Sequence, residues 1–154
     1  MRLTRRYHFS ASHRLHSPSL TESQNASVYG KCNNPFGHGH NYVLEVTAAG
    51  RVDRNSALLL PIAKLDELVQ QKVLHVIAHR NLNLDLPQFV QLVPTTENLA
   101  LVIVDILQKS WTSYIGNFAV RLSRVRLEET ERNSFEVLID SSPHSPTESA
   151  LVNA

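Results

Sequence analysis

Apolar and polar residues alternate along the first segment of the chain, residues 2 to 13. Alternation with a period of two is typical of a strand that buries one face. The apolar face carries Leu3, Tyr7, Phe9, Ala11 and, at its inner end, His13. We therefore predict a half-buried strand that ends on an inward-facing histidine.

A second alternating segment, residues 38 to 52, predicts another strand. His38 and His40 lie on the same face as Tyr42, because side chains two positions apart on a strand project to the same side. The long polar segment between the two strands, from Arg14 to Lys31, has no clear period. We predict a loop there, and loops of this length in a domain are usually functional or mobile.

The middle of the chain changes to a helical period. Pro61 fits the first position of a helix, and apolar residues then recur with helical spacing as far as Val76. Residues 78 to 87 lose this period and predict a loop. A second helix opens at residues 94 to 97, where a threonine can cap it, and Gly116 ends it.

The C-terminal part returns to alternation. Residues 119 to 130 predict a strand with Glu129 on its apolar face, and Phe135, Val137 and Ile139 mark a last strand. The order β-β-α-α-β-β predicts one α+β domain over residues 1 to 140, an antiparallel sheet with two helices on one face. Two exposed sheet edges favour oligomerisation. Residues 141 to 154, rich in Ser, Pro and Thr, predict a disordered tail.

Composition narrows the class of protein. The 154 residues include 15 basic and 14 acidic side chains, a net charge of +1, which gives no indication of a nucleic acid or membrane partner. The basic N-terminus is followed by no apolar segment, so we expect no secretory signal. A single cysteine excludes an intramolecular disulfide and fits a reducing compartment such as the cytoplasm.

Three histidines are candidates for a metal site. If the first two strands are neighbours, His13 meets His38 and His40, and three protein ligands with an open fourth position are the pattern of catalytic zinc. The alternative is that His38 and His40 are ordinary polar residues near the start of a strand. Four other histidines have no comparable arrangement and are interpreted as surface residues: His8, His16, His75 and His144.

Two further side chains are candidates for chemistry. Cys32 lies in a turn-rich segment and not in an apolar stripe, so packing explains it poorly. A cation or histidine nearby would lower the pKa of its thiol and let it act as a base or nucleophile. Glu129 lies on an apolar face, where a carboxylate is costly unless it has a partner or the strand end is frayed. A ligand with paired N–H donors could be that partner, because a carboxylate accepts two hydrogen bonds.

Six motifs carry a resemblance to a known family. They are Phe9-Ser10-Ala11-Ser12-His13-Arg14-Leu15, Tyr29-Gly30-Lys31-Cys32-Asn33-Asn34-Pro35, Gly37-His38-Gly39-His40-Asn41-Tyr42, His79-Arg80-Asn81-Leu82, Pro94-Thr95-Thr96-Glu97-Asn98 and Glu129-Thr130. In this order they resemble 6-pyruvoyl-tetrahydropterin synthase and its relatives, the 6-carboxy-tetrahydropterin synthases of queuosine biosynthesis. The resemblance implies a tunnelling (T-) fold, trimers whose sheets join into a β-barrel, and a homohexamer of two such trimers.

The resemblance also implies residue roles. His13, His38 and His40 would bind Zn²⁺, and Cys32 would be the catalytic base. The implied substrate is 7,8-dihydroneopterin triphosphate, which loses triphosphate while its side chain rearranges to a pyruvoyl group. His79 would complete the proton relay from a neighbouring subunit. Glu129, helped by Thr95 and Thr96, would bind the pterin ring.

One position departs from the family pattern. The family has Asp-His where this chain has Ala78-His79, and that Asp would orient the imidazole as the third member of a triad does. Three hypotheses follow. The first is a pyruvoyl synthase, slow unless another carboxylate such as Asp85 compensates. The second is a carboxy synthase of the queuosine pathway or a dual-activity relative, and the third is a zinc-containing, pterin-binding homologue without turnover. The five residues between Cys32 and His38 resemble the pyruvoyl enzymes more.

Overall fold

A computed structural model of the chain describes residues 1–140. The strands are β1 (Arg2–His13), β2 (His38–Gly50), β3 (Val120–Thr130) and β4 (Asn133–Leu138). The helices are α1 (Glu22–Tyr29), α2 (Ile62–Val69), α3 (His75–Ile77), α4 (Leu82–Asp85) and α5 (Thr96–Ile115). A π turn, Gln70–Leu74, connects α2 to α3, and 3-10 turns cover Gly30–Asn33 and Pro87–Phe89. The predicted tail, residues 141 to 154 with His144, lies outside the described residues.

The four strands form one antiparallel sheet in the order β1-β2-β3-β4. β1 pairs with β2 along its whole length, from Arg2 opposite Ala49 to His13 opposite His38. The predicted order of strands and long helices is confirmed, and the sheet is the antiparallel α+β sheet expected for the T-fold.

The core lies between one face of the sheet and two long helical segments. One is α5, and the other is α2 with the π turn and α3 that continue it. Leu44 and Leu127 of the sheet and Leu65 and Leu107 of α2 and α5 are fully buried. The indole N–H of Trp111 donates to the Val120 carbonyl at 3.2 Å, which ties the end of α5 to the start of β3. Burial of apolar surface on this face is the dominant stabilising contribution.

The opposite face of the sheet is charged. Arg124 donates to Glu45 at 2.9 Å and to Glu136 at 3.0 Å, which joins β2, β3 and β4 through side chains. Cross-strand pairs of opposite charge stabilise neighbouring strands modestly. This polar face accounts for the alternation by which the strands are recognised in the sequence.

The prediction of a loop from Arg14 to Lys31 was wrong, because this segment contains α1. The helix has almost no apolar stripe, and its one buried residue is Asn25. That side chain holds the segment together with polar bonds: its Oδ1 accepts from the Ser17 N–H at 2.8 Å, and its amide donates to the Ser17 carbonyl at 2.9 Å. Thr21 caps the helix.

The prediction of a loop over residues 78 to 87 also missed the single helical turn α4. The start of this segment runs beside the outer edge of β1. The His79 N–H donates to the Ser10 carbonyl at 2.7 Å, and the Ser12 N–H donates to the Arg80 carbonyl at 2.9 Å. Residues 79–81 therefore cover the C-terminal end of that edge. None of the helices within residues 1–140 has the length and apolar content needed to cross a bilayer.

Candidate active site

The pairing of β1 with β2 brings three imidazoles together. His13 lies directly opposite His38 in the register, and His40 follows two residues later on the same face. The Nε2 atoms of His13 and His38 are 3.2 Å apart, and those of His38 and His40 are 2.8 Å apart. The three rings meet edge to face, so their nitrogen atoms converge on one point.

Two of the three histidines are held in the neutral form by their surroundings. His13 is fully buried, and its Nδ1 donates to the Pro94 carbonyl at 2.8 Å, which leaves the Nε2 lone pair free to face the cluster. Burial lowers the pKa of His13 and of His40, because it disfavours the charged imidazolium.

These residues fit a tetrahedral metal. Imidazole nitrogens at the usual bond length to zinc stand roughly 3.3 Å from one another, close to the spacing in this cluster. Within residues 1–140, the three histidines are the one group of side chains whose ligand atoms come close enough together to hold an ion. A hydrogen bond from a ring nitrogen to a backbone carbonyl, as His13 makes, is the usual support for a metal-binding histidine.

A carboxylate borders the cluster. Oε1 of Glu129, on β3, lies 3.8 Å from Nε2 of His13 and 3.7 Å from Nε2 of His40. The Thr96 hydroxyl donates to the same oxygen at 2.7 Å. Thr96 is placed there because it begins α5, where the Thr95 hydroxyl caps the helix by accepting from the Asn98 N–H. Glu129 thus has partners and is not at a frayed end.

Cys32 is not one of the residues whose ligand atoms converge in the cluster. It is half-buried in the 3-10 turn that follows α1, and its carbonyl accepts from the Leu15 N–H at 2.8 Å. Burial, and secondarily the Glu129 charge, raise the pKa of its thiol. From the sequence we expected a nearby cation or histidine to lower this pKa. In the protein without a bound ion, the pKa is shifted in the opposite direction.

His79 stands apart from the cluster. It is exposed on the outer edge of β1, and no hydrogen bond or ring contact within residues 1–140 joins it to the three histidines. It shares an open depression of about 630 Å³ with His40 and Asp85. Ala78, half-buried, packs against the hydrophobic core.

Sequence reasoning missed one site residue, Tyr42. Its ring stacks on Phe9 at 5.0 Å and lies 5.7 Å from the His40 ring. The alternating pattern placed Tyr42 on the same face as the histidines, but an aromatic residue at such a position is ordinarily part of the hydrophobic core. The signal that distinguishes it is its hydroxyl, which is buried and unpartnered among the described residues.

The sheet, the convergent imidazoles and the neighbouring carboxylate define a class of protein: an α+β domain with a candidate three-histidine metal site. The family profile of 6-pyruvoyl tetrahydropterin synthase matches residues 2–139. The chain belongs to this family, as its motifs indicated.

Relatives and solved structures agree with this assignment. The chain is 40% identical to 6-pyruvoyl tetrahydrobiopterin synthase of Poecilia reticulata over 131 residues, 85% of each chain. Against the Drosophila melanogaster enzyme the identity is 48% over 103 residues, 67% of this chain and 61% of that one. The Caenorhabditis elegans 6-pyruvoyl tetrahydropterin synthase structure superposes with a TM-score of 0.80 and 38% identity, covering 91% of this chain and 96% of that chain.

Proposed function

We propose that the protein is a zinc-dependent 6-pyruvoyl-tetrahydropterin synthase, a lyase that eliminates triphosphate from 7,8-dihydroneopterin triphosphate and rearranges its side chain. The observation that carries the proposal is the convergence of three imidazoles beside the Glu129 carboxylate. Relatives named for this activity, at about 40% identity over most of the chain, support it.

His13, His38 and His40 would hold the zinc ion. When bound, zinc supplies Lewis acidity, which makes the C–H bonds next to coordinated side-chain oxygens easier to break. The Glu129 carboxylate borders this cluster, 3.8 Å from His13 and 3.7 Å from His40, so a substrate held by Glu129 would lie next to the ion.

The remaining residues bind the substrate and move protons. The Glu129 carboxylate would accept two hydrogen bonds from the N–H groups of the pterin ring, and Thr96 holds that carboxylate in place. Thr95 supports the arrangement through the helix cap. Cys32, as a thiolate, would remove a proton from the substrate side chain. His79 would return a proton from the other side of the reacting carbon.

We propose further that His79 comes from a neighbouring copy in a barrel-shaped hexamer. Within residues 1–140, β1 and β4 are the two edges of the sheet, and residues 79–81 cover β1 from Ser10 onward. The uncovered part of β1 remains available for β4 of a second copy, which would extend the sheet. The lone cysteine fits an enzyme of the cytoplasm.

A second candidate function follows from Ala78. A methyl group stands where the family has a carboxylate, so the relay histidine lacks that partner. A homologue that binds zinc and pterin with little or no turnover would have these features. The metal and pterin ligands are the same in both candidates.

Incubation of the purified protein with dihydroneopterin triphosphate distinguishes the candidates by product. Pyruvoyl product with released triphosphate supports the synthase, and tight pterin binding without conversion supports the inactive homologue. Carboxy product would assign the chain to the queuosine branch and overturn the main proposal.

A further inference from the structure

A row of alternating charge crosses the polar face of the sheet. Arg6 of β1 lies opposite Glu45 of β2. Glu45 lies opposite Arg126 of β3, and Arg126 lies opposite Glu136 of β4. Side chains directly opposite each other on neighbouring antiparallel strands are close enough to interact. The row therefore begins with a positive charge at one edge of the sheet and ends with a negative charge at the other edge.

The residues at the two ends of this row have unused hydrogen-bonding capacity. Arg6 is exposed, and among residues 1–140 its guanidinium makes no ion pair and no hydrogen bond, because the Glu45 carboxylate opposite it is bound by Arg124 at 2.9 Å and by Arg126 at 3.6 Å. Glu136 is also exposed, and only one of its oxygens is bound, by Arg124 at 3.0 Å. A carboxylate accepts through both oxygens. The two edges are therefore complementary in charge.

The backbone of Arg6 is also directed outward from the sheet. Ser10 and Ser12 point their backbone groups to the outer edge of β1, where residues 79–80 bind them. The direction of the N–H and C=O groups alternates from one residue of a strand to the next. Arg6, an even number of positions from Ser10, therefore presents its N–H and C=O groups at the same edge, in the part of β1 that residues 79–81 do not cover.

The backbone of Glu136 is directed outward at the opposite edge. The Ile139 N–H donates inward to the Ser123 carbonyl of β3 at 3.0 Å. Glu136 is an odd number of positions from Ile139, so its N–H and C=O groups point away from β3. Arg6 and Glu136 thus share two properties: a side chain on the polar face of the sheet and backbone groups available to an added strand.

We propose that the β1 edge of one copy pairs antiparallel with the β4 edge of a second copy of this chain, with Arg6 directly opposite Glu136. The row of alternating charge then continues from one copy into the next. The proposal rests on the edge pairing of the proposed assembly, and it adds the register and the ion pair that select this partner. Backbone hydrogen bonds hold the two strands together, and the charges determine which residues meet.

The same register matches the other residues of the two edges. Unlike charges meet once more on the polar face, and apolar side chains meet on the core face: Arg2 with Asp140, Leu3 with Ile139, and Tyr7 with Phe135. Three of these apolar residues already pack against the core of their own chain: Leu3, Tyr7 and Ile139. A shift by two residues in either direction would place Arg6 opposite Ser134 or Leu138, which carry no charge. The match therefore favours one register.

Disulfide cross-linking tests the register. In a Cys32→Ala background, Leu3→Cys with Ile139→Cys creates a cross-strand pair without backbone hydrogen bonds, whose Cα atoms stand about 4.5 Å apart, within disulfide range. Within one chain the two positions lie three strand spacings apart, roughly 14 Å, which is too far to bridge. We expect oxidation to join the chains into covalent oligomers on a non-reducing gel. Leu3→Cys with Val137→Cys, shifted by two residues, is the matched control and should cross-link about tenfold more slowly.

Charge exchange tests the ion pair. Arg6→Glu and Glu136→Lys each place like charges opposite each other between copies, so each should raise the dissociation constant of the oligomer by about fivefold at low salt. Combined in one chain, the two changes restore unlike charges, and most of the loss should be recovered. Distant residues of one chain have additive effects, so strict additivity would overturn the pair. Lys109→Glu, which reverses a charge in the exposed pair with Asp105 on α5, should leave association unchanged.

The outcomes separate this proposal from the proposed function. A monomeric wild type would overturn both the pairing and the proposed assembly. Faster cross-linking in the shifted variant would overturn the register alone. Zinc content and turnover are measured on the wild type: an inactive protein that still cross-links between positions 3 and 139 would remove the proposed synthase activity and support the pairing.

Discussion

His79 has a backbone conformation that side-chain-bearing residues seldom adopt. Its φ is 62°, in the left-handed region, and its N–H is fixed to the Ser10 carbonyl. Such conformations carry strain and cluster at functional sites. His79 is exposed at the edge of β1, and under the proposed assembly it would reach a neighbouring copy from there.

Restoring the carboxylate beside this histidine should raise the rate. In Ala78→Asp, an ionised side chain would orient the His79 ring and stabilise its protonated form. We expect an increase on the order of tenfold in kcat, smaller than the roughly 10⁴-fold contribution of the triad aspartate in a serine protease. Zinc content should not change. Ala78→Asn, similar in size but neutral, is the control; an equal rate in all three proteins would show that the relay does not use this carboxylate.

Protonation of the metal ligands sets a lower pH limit for metal binding. Burial lowers the pKa of His13 and His40, so both are neutral at pH 7 and no proton competes with the ion. As the pH falls below about 6.5, protons compete for the ring nitrogens and zinc affinity decreases. Zinc retention after dialysis at stepped pH measures this. Retention independent of pH down to 4 would contradict a site of three histidines.

At the scale of elements, β1 and α2 are joined by a polar cluster. Asp66 accepts from the Arg5 guanidinium through both oxygens, at 2.9 and 2.7 Å, and from the Tyr7 hydroxyl at 2.8 Å. The hydrogen bonds from Arg5 lower the pKa of Asp66. The cluster therefore fixes α2 against β1, the strand that also carries His13.

Asp66→Ala should lower the free energy of unfolding at pH 7 by about 1 kcal/mol, a modest loss because the cluster is partly exposed and screened. The folded-state pKa of Asp66 lies below its unfolded value. Its contribution is therefore complete above about pH 4 and is lost as the pH falls further. Denaturant unfolding of both proteins at stepped pH from 7 downward checks this; a difference that does not diminish at any pH below 4 would contradict the ion pair as its source.

An element could be predicted from the sequence when it buries apolar side chains, and not when it buries polar ones. The strands and long helices bury apolar stripes, so their periods were visible. The pairing that joins His13 to His38 was assumed from two inward-facing strand ends, and the register of β1 and β2 shows it. Helix α1 is organised by the polar side chain of Asn25, which leaves no apolar period. Tyr42 was missed because its distinguishing feature is a buried hydroxyl without a hydrogen-bond partner among the described residues, which a sequence pattern does not show.

At the scale of the whole molecule, we propose that the site is shared between copies. Cys32→Ala and His79→Ala should each be inactive while keeping zinc, because neither residue is a metal ligand. Refolded together in equal amounts, they should regain about a quarter of the wild-type activity, since random pairing in a symmetric oligomer places an intact Cys32 beside an intact His79 in that fraction of sites. Absence of any recovery would mean that one chain supplies both residues.

We propose that three histidines hold a zinc ion on which turnover depends. Triphosphate release by the purified protein, measured before chelation, after chelation and after zinc is added back, tests it most directly. We expect one zinc per chain, loss of release when the metal is removed, and recovery on its return, with no recovery in His38→Ala. Undiminished release by metal-free protein would show that turnover does not depend on a metal held by these histidines.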